Sequence, residues 1–342
     1  MINLFSDTQT KPSKEMRRAM ADAQVGDEQR RLDPTVIKLE EMTASLLGKE
    51  AGLFLPSGTM CNIIAVKVHT QPGDAILADR MSHILRAELG GAAFHSGVTI
   101  DQLDGQRGIF NAEQVEEGFK RVSYYSPPVT LVCVENTHNY GGGTIWPVNV
   151  LQEVCQLANR LNRKTHMDGA RLFNACVAAG ISAAEYSRPV DSVWIDLSKG
   201  LGCPVGAVLA GTKEFISKAR RYKHIFGGAM RQAGIIAAAG VYALEHNIER
   251  LADDHANAKL LARGLSQIKG IKLDPPEPQT NIIYFDTRAA GLSNTEFIKA
   301  MDQQDISMSG IGQLVRAVTH LDVSRADCER AVEAAAGCLA RR

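Results

Sequence analysis

Val193-Trp194-Ile195-Asp196-Leu197-Ser198-Lys199-Gly200-Leu201-Gly202 is the stretch from which the chain is best read. A short apolar run ends, a lysine follows, and glycines come at once. An amine held in that way opens onto a pocket instead of bulk water, where it can form a Schiff base with an aldehyde. A lysine after a buried strand is also an ordinary solvated strand end, so the other motifs must decide. Upstream, Met167-Asp168-Gly169-Ala170-Arg171 places an acid at the end of another apolar run.

Working outward, short apolar strands alternate with amphipathic helices. The pattern predicts strands at Gly52–Leu55, Ala75–Ala78, Thr130–Glu135, Lys164–Met167, Ser192–Leu197 and Val205–Ala210. Helices are expected at Pro34–Leu47, Thr59–His69, Ser82–Ala93, Asn111–Arg121, Val148–Asn162 and Lys213–Tyr222, the first with Asp33 as N-cap and Pro34 at its first position. This alternation implies an α/β domain with a mostly parallel sheet between helices. Two long helices, Gly228–Glu245 and Ile248–Ile268, follow, and then the texture changes. A proline-rich connector, Leu273 to Pro278, precedes a strand at Asn281–Asp286. A helix at Ser293–Gln303 carries a capping-box pattern, Ser293 to Glu296, and Leu314–Thr319 and Ser324–Ala340 read as strand and helix. The expected division is a large domain over residues 1–250 and a small C-terminal α+β domain over 251–342.

Several strand ends carry chemistry. Pro56-Ser57-Gly58-Thr59-Met60 joins a strand to a helix N-terminus. Free N–H groups, the helix dipole and the Ser57 and Thr59 hydroxyls would suit a phosphate, although an N-cap turn has the same sequence. Gly58 lets the backbone approach closely. His83 stands where a flat ring would stack on a pyridine, or simply on a surface loop. Glu135-Asn136-Thr137-His138-Asn139 puts polar groups beyond a buried run, where open α/β sheets bind ligands. Asn136 or Thr137 would suit a cofactor's phenolic side, and His138 a substrate hydroxyl. Asp168 would keep a pyridine nitrogen protonated. His166 and Asp168 share a strand face, but no third ligand stands at a suitable spacing, so no metal is expected. Arg171 and Arg316 are candidate carboxylate clamps, or structural ion pairs. Phosphate cup, stacking histidine, ring acid and amine, in that order, are what pyridoxal phosphate (PLP) requires, and they raise Lys199 above an ordinary strand end.

Bulk properties exclude other classes. Charge is balanced at 38 basic and 38 acidic residues, without basic blocks that would suit nucleic acid. No apolar run reaches the ~20 residues of a membrane span. The N-terminus lacks a secretory pattern. Seven scattered cysteines without a CxxC pair read as reduced thiols of a cytoplasmic protein.

At these residues the chain resembles the threonine aldolases, within the β-eliminating lyase group of fold-type I PLP enzymes. The resemblance rests on Ser6-Asp7-Thr8, the Pro56–Met60 turn, Glu135–Asn139, His166–Asn174 and Leu197–Gly206. Gly227–Gln232 and Arg316–Val323 extend it. It implies a PLP-dependent aldolase that cleaves a β-hydroxy-α-amino acid to glycine and an aldehyde. It implies Lys199 as the Schiff-base lysine and cofactor contacts at Ser57, Gly58, Thr59, His83, Asp168, Arg171, Ser198 and Arg231, the last from a neighbouring subunit. Ser6, Arg171 and Arg316 would grip the substrate carboxylate, and His138, His83 or a water between them would take the hydroxyl proton. A homotetramer built on a catalytic dimer is implied as well.

The chain departs from the family at Arg30-Arg31, where a tyrosine-glycine pair is usual, and at Asp196. The arginines would either receive an acidic side chain, such as that of 3-hydroxyaspartate, or pair with acids of a partner subunit. β-Elimination, racemisation and transamination are alternative outcomes on the same cofactor, and a non-catalytic PLP-binding paralogue is a remote one.

Overall fold

The computed structural model of the chain describes residues 1–120 and 123–340. In chain order the strands are β1 (Ile2–Asn3), β2 (Ala51–Leu55), β3 (Ala75–Asp79), β4 (Thr99–Leu103), β5 (Val129–Glu135), β6 (Lys164–Gly169) and β7 (Ser192–Asp196). They continue with β8 (Ala207–Gly211), β9 (Lys272–Leu273), β10 (Ile282–Asp286), β11 (Ile306–Ser307), β12 (Ser309–Ile311) and β13 (Leu314–Val318). One sheet takes the order β2-β8-β7-β6-β5-β3-β4. Within it β8 runs antiparallel to both neighbours, and the remaining pairs are parallel. The reason is the connection: residues 197–206 are fewer than the dozen or so that a parallel crossover needs. The expected mostly parallel sheet between helices is therefore the observed one. Strands β3, β7 and β8 are buried at every position, as befits strands covered on both faces.

Helix starts follow local chemistry. Asp33 Oδ1 accepts the N–H groups of Thr35 and Val36, at 3.1 and 3.0 Å, with Pro34 opening the helix Pro34–Leu46. The capping box at Ser293 and Glu296 forms and opens the helix Asn294–Asp302. The helix expected over Ser82–Ala93 is instead two short ones, His83–Arg86 and Gly91–Ser96. Leu89 and Gly90 both adopt left-handed backbone between them, at φ 54° and 76°. The helix expected from Gly228 begins at Gly234. The helix predicted to end at Arg121 covers Ala112–Lys120, and its predicted end lies outside the described residues, as do positions 341–342. Edge strand β4 was not predicted, because its sequence Thr-Ile-Asp-Gln-Leu is half polar and only Leu103 is buried. Helices Lys14–Ala21 and Leu172–Ala179 were likewise not predicted.

A second sheet, β12-β13-β10-β9, is antiparallel and lies against the helix Leu251–Ser266. Its apolar core includes Ile2 and Leu4 from the start of the chain. Strand β1 pairs with β11, and the Leu4 carbonyl accepts the Val318 N–H at 2.9 Å. Pinned there, the N-terminal segment carries Ser6 and Asp7 to the carboxyl edge of the central sheet, where the Thr10 hydroxyl donates to the Lys199 carbonyl at 2.8 Å.

Candidate active site

The carboxyl ends of β2, β3, β5, β6 and β7 share one edge of the sheet, where open α/β folds bind ligands. A cleft of about 320 Å³ opens there, lined among others by Ser6, His83, Asn139, Arg171, Lys199 and Arg316. A larger hollow of about 670 Å³ lies elsewhere, beside Arg31, Glu40 and Arg220. Its carboxylate Glu40 is already paired with Arg220 at 3.0 Å and Arg31 at 3.5 Å, so the chemistry stays with the cleft. The Lys199 amine sits 3.0 Å from Asp196 Oδ2. Asp196 Oδ1 also accepts the Ser198 N–H and hydroxyl, both at 2.8 Å, so Ser198 is engaged within its own turn.

Asp168 is buried behind the lining, its carboxylate within 4.8 Å of a His83 ring nitrogen, in a layer that forms the floor beneath the cleft. Its Oδ1 accepts the Ala170 N–H at 3.0 Å, and its Oδ2 accepts the Asn62 amide at 2.9 Å. Burial, helped by Glu135, pushes this carboxyl up, while His83, Lys199 and Asn62 pull the other way. His83 Nδ1 lies 2.9 Å from Glu88 Oε1, and the His83 main-chain N–H donates to Glu135 Oε2 at 2.7 Å. Burial disfavours the imidazolium, but Glu88, Asp168 and Glu135 outweigh it and raise His83 above its ordinary value. His83, Glu88 and Asp168 offer ligand atoms within 4.8 Å of one another. The Asn62 amide donates into both carboxyls, so a cation there would meet its N–H groups.

The two arginines differ. Arg171 is bound by Asp7 in a two-pronged pair, Nε to Oδ2 and Nη2 to Oδ1, each 2.7 Å. Burial alone would raise the Asp7 carboxyl, and Arg171 overrides it, holding Asp7 far below the carboxylate range. Arg316 reaches Asn139 Oδ1 at 3.0 Å and the Phe5 carbonyl at 3.2 Å, and its buried Nε has no partner among the described residues. Of the expected clamps, Arg171 is already neutralised by Asp7, whereas Arg316 has no carboxylate paired with it among the described residues.

His138 does not line the cleft. It is 1 % exposed, and its Nδ1 accepts the Gly141 N–H at 3.0 Å. Its Nε2 therefore carries the proton and faces Asp79 at 3.4 Å and Glu135 at 3.9 Å. Asn136 and Thr137 are buried as well, with Asn136 Oδ1 accepting the Trp146 N–H at 3.3 Å. Ser57 caps its helix through the Met60 N–H at 3.3 Å and is exposed, with Gly58 and Thr59 half-buried beside it. A Cβ on Gly58 would come within 2.2 Å of the Trp194 ring, so glycine is needed there for packing alone. Arg30 is exposed and Arg31 turns to Glu40. Arg231 pairs with Asp27 at 3.1 Å and points to solvent. Within one chain none of these reaches the cleft.

The residues given no role of their own by the sequence are partners rather than principals: Asp7, Glu135 and Asn139, which lie within quoted motifs, and Asn62 and Glu88, which do not. A signal existed for two of them. A buried Arg171 demands an acid, and Asn62 is a lone amide in the apolar run Met60-Cys61-Asn62-Ile63-Ile64.

Comparison with known proteins bears on the family and the fold. The profile of the beta-eliminating lyase family matches residues 3–288. Low-specificity L-threonine aldolase 1 of Arabidopsis thaliana is 39% identical over 333 residues, covering 95% of this chain and 93% of that one. The low specificity L-threonine aldolase of Escherichia coli K12 is 39% identical over 329 residues, covering 95% of each. A threonine aldolase structure from Leishmania major superposes with a TM-score of 0.86 at 21% identity, covering 99% of this chain and 100% of the other, a likeness of fold.

Proposed function

The chain belongs to the threonine aldolases of the beta-eliminating lyase family, and from that premise we propose that it cleaves threonine or a related β-hydroxy-α-amino acid to glycine and an aldehyde, with PLP as cofactor. One observation carries the reading: an amine, Lys199, an imidazole, His83, and a guanidinium bonded only to neutral oxygens, Arg316, line a single cleft.

The residues fit the cofactor. Asp168 is a buried carboxyl that two N–H groups touch, and a protonated ring nitrogen would supply the cation that burial makes it lack. When bound, PLP supplies an aldehyde for Lys199 and a conjugated ring that takes up the electron pair of the breaking Cα–Cβ bond. We assign Lys199 to attach it, Asp168 to its ring nitrogen, His83 to its face, and the helix start at Ser57, Gly58 and Thr59 to its phosphate. Arg316 would take the substrate carboxylate, with Arg171 held beside it by Asp7 and Ser6 at the same wall. His83 would take the β-hydroxyl proton at Nε2, since its Nδ1 is turned to Glu88. A base whose pKa is raised toward neutrality suits that transfer in both directions. His138, turned to Asp79 and Glu135, would act on the hydroxyl only through other groups.

Arg231 and the phosphate turn face outward, and Phe94 and Leu89 are exposed nearby in sequence to His83. These features support a homotetramer of catalytic dimers in which a neighbour supplies Arg231. Six cysteines, Cys61, Cys133, Cys155, Cys176, Cys203 and Cys328, are buried free thiols, which suits a cytoplasmic setting. Among the described residues no helix is long and apolar enough to cross a membrane.

Product analysis with threonine, allo-threonine and phenylserine tests the reaction. Glycine plus aldehyde is expected, and a 2-oxo acid plus ammonia would sink the proposal. Lys199→Ala should lose the absorbance of the lysine-bound cofactor and bring turnover down to background.

A further inference from the structure

Asn62 is fully buried in the helix Gly58–His69, one turn past the phosphate turn. The Trp194 indole N–H lies 2.7 Å from Asn62 Oδ1. An indole nitrogen only donates, so this contact fixes which end of the amide is oxygen. His166 Nε2, 3.1 Å from the same oxygen, must then carry its proton. Its Nδ1 consequently accepts the Ser192 hydroxyl at 2.8 Å, and Ser192 Oγ accepts from His69 Nε2 at 2.8 Å. Burial pushes His166 down to about 3 and His69 to about 4, so both imidazoles are neutral, and for His166, whose Nδ1 accepts, the order of donors requires it. The result is directional. Every link behind Asn62 donates toward its oxygen, and both of its N–H groups face forward.

Those N–H groups meet two acids. One goes to Asp168 Oδ2 at 2.9 Å and the other to Glu88 Oε1 at 2.7 Å. Glu88 Oε1 is also the atom that holds His83 Nδ1. One amide thus ties the acid on the floor of the cleft to the imidazole on its wall. A wrong rotamer would aim an oxygen at both carboxyls, and Trp194 and His166 bar it.

We propose that Asn62 is the positioning residue of the cofactor ring, fixing through Asp168 the acid that meets the ring nitrogen and through Glu88 the imidazole that meets the ring face. The proposal rests on the PLP reading above. It differs from a purely structural role, in which Asn62 only satisfies buried groups. In the positioning role, removing the amide frees Asp168 to take a proton, and a neutral acid holds a ring nitrogen less well.

The test compares apoprotein affinity for PLP and for its 1-deaza analogue, which keeps the aldehyde, phosphate and shape but has CH in place of the ring nitrogen. The wild-type chain should prefer PLP. Asn62→Ala and Asn62→Asp should lose about tenfold of that preference, the scale of one charge-assisted hydrogen bond, with the aspartate worse because it adds an anion. His166→Gln keeps a donor for Asn62 Oδ1 and should stay near wild type, whereas His166→Leu, which leaves Trp194 alone to hold the amide, should lose a smaller part of the preference than Asn62→Ala. This pair reads the same effect without altering Asn62, should the Asn62 variants fold poorly. Equal losses for both compounds in all variants would overturn the inference while leaving the cofactor reading intact. A wild-type chain that binds neither compound would remove the cofactor reading and this inference with it.

Discussion

Asp168 at the carboxyl end of β6 and Ser57 just past that of β2 stand on the same edge of one sheet, yet their surroundings are opposite. Asp168 is 6 % exposed and meets Asn62 and Ala170, while Ser57 is exposed and serves its own helix cap. The same contrast divides the whole cleft. Its floor and wall, from Asp7 and Arg171 to Glu88 and His83, are sealed by contacts within the chain. Outside it, an outer rim that does not reach the cleft within one chain, from Ser57 through Arg30 to Arg231, faces outward. A floor that must hold charges against burial has to be complete when the chain folds, since an unpaired ion there is strongly destabilising. An exposed rim can be completed later, by a ligand or by a second copy, because its groups stay hydrated in the meantime.

The largest effect should come from breaking the floor at Asp7. It is fully buried, paired twice with Arg171 and bonded by Asn281 at 3.1 Å. Asp7→Asn leaves the Arg171 charge unpaired and should lose roughly 3–5 kcal/mol of stability, as removal of one partner of a buried pair does. Urea unfolding measures it. The pH dependence has a definite sign. The folded carboxyl lies below its unfolded value, so its contribution is present above the ordinary carboxylate range and is lost only as pH falls beneath it. A loss under about 1 kcal/mol would mean that the floor is no more self-sufficient than the rim.

A smaller effect should follow at the wall. Glu88 makes the strongest contact that keeps His83 raised against burial. Glu88→Gln should therefore move the His83 titration to lower pH, visible in its imidazole proton resonances and in the pH profile of kcat/KM. Because the folded value lies above the unfolded one near 6.5, the stability that protonated His83 contributes is full below that pH and is lost as pH rises through the folded value. In the variant that loss comes earlier. Turnover at the optimum should fall by less than about 10²-fold, since the imidazole itself remains. An unmoved profile would separate His83 from the proton transfer.

The same contrast explains what the sequence made legible. Strand ends announce themselves, because apolar runs stop at polar residues, and Lys199, Asp168 and His83 stand at or near such stops, whereas Arg316 shows as a charge inside a strand. The parallel sheet followed from the alternation of buried runs and helices. Partners are harder to read, because they come from far along the chain: Asp7 meets Arg171 across 164 positions, and Asn62 meets Asp168 across 106. His138 misled for a related reason. Its motif places it beyond a strand, but the turn at Gly141 folds back and takes its Nδ1, which aims the ring inward. The split helix after Ser82 depended on Leu89 adopting a left-handed backbone, which its side chain disfavours and its sequence does not announce.

The smallest effect tests the rim. Arg30 ends a short turn, Glu28–Arg30, and its side chain is exposed. Replacing it should leave stability within about 0.5 kcal/mol, the ordinary range for surface positions. If the rim is finished by a second copy, Arg30 lies against a neighbour's cleft, and Arg30→Tyr should alter substrate ranking without touching stability. The sensitive comparison is 3-hydroxyaspartate against threonine, because a guanidinium discriminates on a side-chain carboxylate and a phenol does not. A drop of about tenfold or less in the kcat/KM ratio is expected, the scale of one exposed or half-exposed ion pair. An unchanged ratio would show that Arg30 faces solvent in the assembly as it does in the chain. The boundary between a finished floor and an unfinished rim would then lie closer to Arg231.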